Sequence, residues 1–585
     1  MAHCILKMCH RWTILCTVAV YHLCAGEVDV YRGLPYATVP QRFSPPQPLP
    51  KVPWRGMRGV KSDRGFKPAC PQRQPDGEFS KGRQELLRRA LGHQSEDCLY
   101  LNIYSPSGPS STKYPVLLFI QGERFEWSYG HLYDGSELAS YGRLVVVTIS
   151  YRLGILGFLN TNPGRRTVAN FGLLDQIAAL QWIQDNIHMF GGDAGSVTVL
   201  GHGSGAACVH WLMTSPAVPP GKLFHRAVLM SGSALSVGSL VKEPLKAAKE
   251  VAHHLNCTED HRLLSCLREK PLKLLLSAPV LTSQILPTFG PSEDGVIIVA
   301  DQLQFSHWSR HDHKHTRRGL TKISLLQGVD NLTLRHGKKA NYDLLLGVVN
   351  AEAFSYFSEE DILYGIETWK KIQVLQTFIN STYRHHQSQI LATLVNEYTE
   401  WERPIQHPIN TLCETVEALG DGLVVAPILR TADMHAGNSF LYVFSHHIRS
   451  GLYPQKPGCI HGEELPYVFG VPLMNASSQT LSSYNFSRAD TRLSRSVMTY
   501  WANFARTGNP NRSGDHSPHH HLQKTQKPLA ERWLPYDKIH KRYLLFDSKP
   551  RLRNHYRAHR LSFWLNLVPQ LLTDVDDDQF AADSS

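Results

Sequence analysis

Strand-length apolar runs and helical periodicities alternate along most of the chain. Pro115–Ile120 (P-V-L-L-F-I) and Leu144–Ser150 (L-V-V-V-T-I-S) are continuous β-branched and apolar runs, the pattern of strands buried on both faces. Between Asn170 and Asn186, Leu173, Ile177, Leu180 and Ile183 recur at three- and four-residue spacing, which predicts a helix with one apolar face. Val197–Leu200, Arg226–Ser231, and then Y-D-L-L-L-G-V-V, S-F-L-Y-V-F and R-Y-L-L-F-D continue the strand series toward the C-terminus. No internal repeat interrupts it. This alternation implies an α/β class fold, a large and mostly parallel central sheet flanked by helices.

Two segments leave the pattern. Residues 306–340 are basic and histidine-rich, and N-R-S-G-D-H-S-P-H-H-H-L-Q-K is a second polar loop. His311, His313 and His315, or His519, His520 and His521, have ligand chemistry, but such runs are more often solvated loops than metal sites. The net charge of +11 is scattered rather than gathered into a nucleic-acid stripe, so it does not select a polyanionic partner. Residues 573–585 are acidic and read as a disordered tail.

The N-terminus changes the picture more. Lys7, His10 and Arg11 precede the apolar run T-I-L-C-T-V-A-V-Y-H-L-C-A, so residues 1–25 read as a secretory signal peptide ending at Ala25, with the folded domain expected over 26–572. The alternative is a buried first element. Beyond residue 25, Cys70, Cys98, Cys208, Cys257, Cys266, Cys413 and Cys459 show no zinc spacing, and an oxidising compartment favours disulfides. Glycosylation sequons begin at Asn256, Asn331, Asn380, Asn475, Asn485 and Asn511, which agrees with an extracellular location. No later stretch reaches transmembrane length.

Chemistry concentrates at V-L-G-H-G-S-G-A-A-C (Val199–Cys208). It has the form of the strand-turn-helix elbow G-x-S-x-G, in which the central serine is the nucleophile. Here the centre is Gly203, and Ser204 comes one residue late. A frame centred on Ser204 would need glycine where His202 and Ala206 stand. Loss of the nucleophile from a hydrolytic triad costs roughly 10⁶ in kcat.

E-D-C-L-Y-L-N-I-Y-S-P (Glu96–Pro106), Y-R-L-G-I-L-G-F-L, N-F-G-L-L-D-Q and H-G-E-E-L-P-Y-V-F-G resemble the cholinesterase-like type-B carboxylesterases, from about Val30 to Pro569. The resemblance implies a single-domain α/β-hydrolase fold. It places the family's triad on Gly203, Glu352 and His461. It also sets Q-G-E-R-F (Gln121–Phe125) where the family has its H-G-G-G oxyanion loop, with Glu123 and Arg124 in place of glycines. A carboxylate beside a developing oxyanion is electrostatically unfavourable. The expected result is a hydrolase fold without hydrolysis, with Glu352 and His461 kept as a hydrogen-bonded pair. The competing readings are a secreted carboxylic ester hydrolase and an apolar-ligand carrier.

Within that family, the glycine-centred elbow followed by Cys208, L-F-H-R-A-V-L-M-S-G-S-A-L-S, V-M-T-Y-W-A-N-F-A-R-T-G-N-P-N and K-P-R-L-R-N-H-Y-R-A-H-R-L-S-F-W-L-N-L-V-P are similar to neuroligins. That similarity implies a cell-adhesion ectodomain that binds a neurexin-like receptor and forms a homodimer, acting at synapses from a cell surface in its membrane-attached form. It implies disulfides Cys70–Cys98 and Cys257–Cys266, whereas Ile448 and Tyr484 stand where a further neuroligin bridge would lie. Cys413 and Cys459 are left to pair only if folding brings them together, and Cys208 is expected as a buried thiol. Asn350 and Glu352 are the implied partner-binding residues, with no intrinsic cofactor and a calcium ion only at the partner interface. Dimer contacts are expected from the helix Ser388–Tyr398 and from Leu561, Phe563, Trp564, Leu567 and Leu571; burial of those residues within one chain is the alternative.

Overall fold

A computed structural model describes residues 19–23, 26–49, 66–73, 91–108, 113–128, 133–161, 168–257, 263–280, 285–299, 342–402, 406–448, 457–474, 485–512 and 530–572. The expected strands form one sheet. Its members are β1 (Ala19–Leu23), β2 (Gly26–Pro35), β5 (Tyr100–Pro106), β6 (Tyr114–Gly122), β7 (Val145–Ile149), β8 (Gly192–Gly203), β9 (Arg226–Met230), β10 (Asp343–Val349), β11 (Ser439–Phe444), β12 (Arg542–Phe546) and β13 (Arg551–Asn554). Two short strands, β3 (Ala37–Thr38) and β4 (Gln47–Pro48), pair separately. The spatial order is β1-β2-β5-β7-β6-β8-β9-β10-β11-β12-β13. From β7 to β12 every pairing is parallel, and antiparallel strands finish both edges. This is the α/β-hydrolase architecture.

Why the middle strands read as unbroken apolar runs is now plain. Separate apolar cores cover the two faces of the sheet, so neighbouring residues of β6 divide between them: Val116, Leu118 and Ile120 on one side, Leu117 and Phe119 on the other. The predicted helix is Phe171–Asn186, but it is buried beyond its apolar stripe. Asp175 is fully buried and pairs with the equally enclosed Arg152, Nη2 to Oδ1 at 2.7 Å and Nε to Oδ2 at 2.8 Å. A buried charge of this kind persists only when paired and hydrogen-bonded.

β1 lies inside residues 1–25, the segment read as a leader, and pairs antiparallel with β2 from Ala19↔Val30 to Leu23↔Gly26. Leu561 and Trp564 do not offer a dimer face, because both are at most 2% exposed within their own chain. The Trp564 indole N–H donates to Tyr398 Oη at 2.9 Å, and that hydroxyl donates to Asp421. Phe563 is buried as well, and only Leu567 of this set is exposed. On the helix Gln387–Glu397, Ile390 and Leu394 also point inward.

The disulfides Cys70–Cys98 and Cys257–Cys266 are present. Cys208 is a buried thiol, and Cys413 and Cys459 are not joined. Asn256, Asn380 and Asn485 are exposed. Asn511 is not disposed for a glycan, since its amide nitrogen donates to Asn509 Oδ1 and to the Trp533 carbonyl at 2.8 Å. Asn331, Asn475, Tyr484, both histidine runs and the acidic tail lie outside the described residues. Among the described residues, no helix is long and apolar enough to cross a membrane.

Candidate functional site: a carboxylate-imidazole row at the elbow

β8 ends at Gly203, and the helix Ser204–Thr214 begins at the next residue. Gly203 sits at φ 58°, ψ −126°, backbone that L-residues adopt only under strain. The helix can leave the sheet so steeply because Gly205 has no side chain: a Cβ there would lie 2.1 Å from the Ile120 carbonyl oxygen. The sharp nucleophile-presenting turn is thus intact in backbone. Its side chain is missing, and the vacated space is held by something else. A Cβ at Gly203 would meet Gly122 O at 2.7 Å, Glu123 Oε2 at 3.1 Å and His461 Nε2 at 3.3 Å.

The acid and the histidine of the expected triad do converge on this turn. Glu352 follows the end of β10, and an isolated bridge between Ala351 and Ile460 draws the two loops together. His461 Nδ1 lies 2.6 Å from Glu352 Oε2, while Glu352 Oε1 accepts the Val349 N–H at 2.8 Å. The other imidazole nitrogen, Nε2, would face a nucleophile; instead it lies 3.2 Å from Glu123 Oε2. The remaining Glu123 oxygen is 3.4 Å from His202 Nδ1, and His202 Nε2 is 3.1 Å from Glu464 Oε1. Glu352, His461, Glu123, His202 and Glu464 therefore form a row of alternating carboxylates and imidazoles. Sequence reasoning missed His202 and Glu464 as members, although both sit inside motifs it used, G-H-G and H-G-E-E.

The electrostatics follow from this alternation. Burial opposes the charge on Glu123, yet His461 and His202 beside it hold the carboxyl well below its ordinary range. Burial likewise opposes charge on His461, but the Glu123 carboxylate, with Glu352 behind it, raises the imidazole pKa well above the usual value. His202 is raised against burial by Glu464 and Glu123, and Glu464 is lowered against burial by His202. The raised pKa favours the doubly protonated form of His461, with both N–H groups directed at carboxylates; in that form it has no lone pair with which to act as a general base toward a hydroxyl.

The oxyanion side is closed too. In the turn 123–127, Glu123 N–H donates to the Trp127 carbonyl at 2.8 Å, and Phe125 N–H donates to Ser204 Oγ at 2.9 Å. Ser204 is a latch on this loop and is not aimed at His461. Arg124 and Phe125 take φ 51° and 59°, each costing about 1–2 kcal/mol for a residue with a Cβ. The loop keeps a glycine-like path without the glycines, and the Glu123, Phe125, Glu126 and Trp127 amides are bonded within the loop or to Ser204.

Asn350 and Glu352 are both hydrogen-bonded within the chain: Asn350 Oδ1 accepts the Cys459 N–H at 2.8 Å, and both Glu352 oxygens are engaged as described. These bonds stitch the Glu352 loop to the His461 loop.

The sequence model of the carboxylesterase family matches residues 19–564. The chain is 33% identical to neuroligin-2 of Homo sapiens over 93% of its own length and 65% of that protein. It is 32% identical to neuroligin-3 of Mus musculus (93% and 66%) and 31% identical to neuroligin-1 of Caenorhabditis elegans (93% and 70%). The chain thus spans about two thirds of the length of these relatives.

Proposed function

The chain belongs to the carboxylesterase family, and within it we propose a non-catalytic, neuroligin-like adhesion domain that acts outside the cell and binds a neurexin-type receptor. The observation that carries the first half of this reading is the Glu123–His461 contact at 3.2 Å. A carboxylate stands where the nucleophile would be, and the histidine is neutralised by it. Similarity to neuroligins supports the second half.

With Asn350 and Glu352 turned inward, the partner surface is assigned to the exposed apolar residues that follow the Glu352 loop. Tyr356, Leu363, Tyr364 and Trp369 are all exposed, Tyr364 at 72%. Clustered exposed apolar side chains mark interaction surfaces more often than isolated ones do. Homodimer contacts are assigned to the surface around Leu567. Leu567→Lys is expected to give folded monomer by light scattering, and an unchanged dimer would remove that assignment.

The direct test is binding of the purified chain to an immobilised neurexin ectodomain, with calcium and with a chelator. Calcium-dependent binding that Tyr364→Ser weakens supports the reading; no binding by folded protein overturns it. The Glu352–His461 hydrogen bond favours one rival, an ester hydrolase. Turnover of a short-chain ester that disappears in Ser204→Ala would establish that rival instead.

A further inference from the structure

The carboxylate-imidazole row has a geometry that adhesion does not require. Glu123, His202 and His461 each direct one ligand-type atom into a common space, and these atoms all lie within 4.8 Å of one another. Glu123 Oε2 is 3.2 Å from His461 Nε2, and its other oxygen, Oε1, is 3.4 Å from His202 Nδ1. Around a tetrahedral ion with bonds of about 2.0–2.1 Å, adjacent ligands stand roughly 3.3 Å apart. The far nitrogen of each ring also meets a carboxylate: His461 Nδ1 is 2.6 Å from Glu352, and His202 Nε2 is 3.1 Å from Glu464. A carboxylate behind each ligating imidazole is the arrangement that orients histidines on a metal.

A second, independent feature is the state of His202. It is wholly buried, and neither ring nitrogen makes a directed hydrogen bond, although carboxylates lie close by. Glu123 and His461 remain partly exposed at 18% and 12%, so the row can be reached from solvent on that side.

We propose that Glu123, His202 and His461 form a binding site for one divalent transition-metal ion of the zinc type, backed by Glu352 and Glu464. Two imidazole nitrogens and one carboxylate suit zinc or cobalt rather than calcium or magnesium, which take oxygen donors. This site goes beyond the adhesion reading and does not depend on it.

The full chain, stripped with a chelator, is titrated with zinc against a chromophoric competitor and separately with cobalt(II). One tightly held zinc per chain and a tetrahedral cobalt spectrum displaced by zinc are expected. Glu123→Gln should weaken zinc binding by at least about 100-fold, and Glu352→Gln by about 10–100-fold. Replacement of His519, His520 and His521 by alanine should leave the tight site unchanged. Zinc uptake that survives Glu123→Gln but vanishes with the three histidines would overturn the proposal. So would an octahedral cobalt spectrum of the unaltered chain, a readout that needs no variant to fold.

Discussion

Restoring the serine should not restore the enzyme. In Gly203→Ser the new Cβ would lie 2.7 Å from the Gly122 carbonyl and 3.1 Å from Glu123 Oε2. Its hydroxyl must therefore force Glu123 off His461 or point away from the histidine. If Glu123 stays, the base is an imidazolium, and losing the histidine of such a triad costs roughly 10⁶ in kcat. The Glu123 and Phe125 amides are already committed to Trp127 and Ser204, and each lost oxyanion donor costs about 10²–10³. The single variant should hydrolyse p-nitrophenyl butyrate no faster than the parent chain. Gly203→Ser with Glu123→Gly and Arg124→Gly frees His461 Nε2 and gives the positive-φ position at Arg124 a glycine. That triple variant should exceed the single one by at least about 10³. Covalent labelling by a fluorophosphonate, followed by intact mass, counts the competent sites independently. Gly203→Ser alone hydrolysing as fast as the triple would refute the argument that Glu123 is the block.

Two further predictions concern stability. Arg557 reaches the fully buried Asp421 at 2.6 Å and donates to the Asn350 carbonyl at 2.9 Å, tying the C-terminal helix to the Glu352 loop. Arg557→Ala strands that carboxylate and should cost about 3–5 kcal/mol in urea unfolding; a loss within the range of an exposed surface pair would contradict the burial argument. His210 accepts the Ala234 N–H at Nδ1, 3.2 Å away, and burial, then His435, lower its pKa from 6.5 to about 4. The unfolded chain binds this proton as pH falls through 6.5, while the folded chain resists until near 4. Stability from this group is therefore full above pH 6.5 and is lost progressively toward pH 4, by up to about 3 kcal/mol. His210→Gln should flatten that part of the thermal-unfolding profile, and an unchanged slope would remove His210 as its source.

Local pattern was enough to read most of the architecture. β6, β7, β8, β9, β10, β11 and β12 each contain a run of adjacent apolar residues, because the two faces of the sheet are both covered. The elbow was legible for a similar reason. Gly201, Gly203 and Gly205 mark close backbone approaches and a positive φ, demands that act over a few residues. Even the lost nucleophile was a matter of one position.

What fills the nucleophile's place was decided only by folding. Glu123 and His461 are 338 positions apart, and their meeting depends on which way a tight turn at 123–127 throws a side chain. Ser204 looked like a displaced nucleophile in the chain but became a latch, because one step around the elbow turns its hydroxyl toward the Phe125 amide. Apolar periodicity at the C-terminal helix could not say whether Leu561 and Trp564 pack inward or outward, since a stripe buries equally well against its own domain or a second copy. The sequence by itself determined the sheet and the elbow, whose causes are local. Only the tertiary structure made the vestigial triad part of a five-member row of alternating carboxylates and imidazoles, since that row needs contacts between loops that no spacing along the chain encodes.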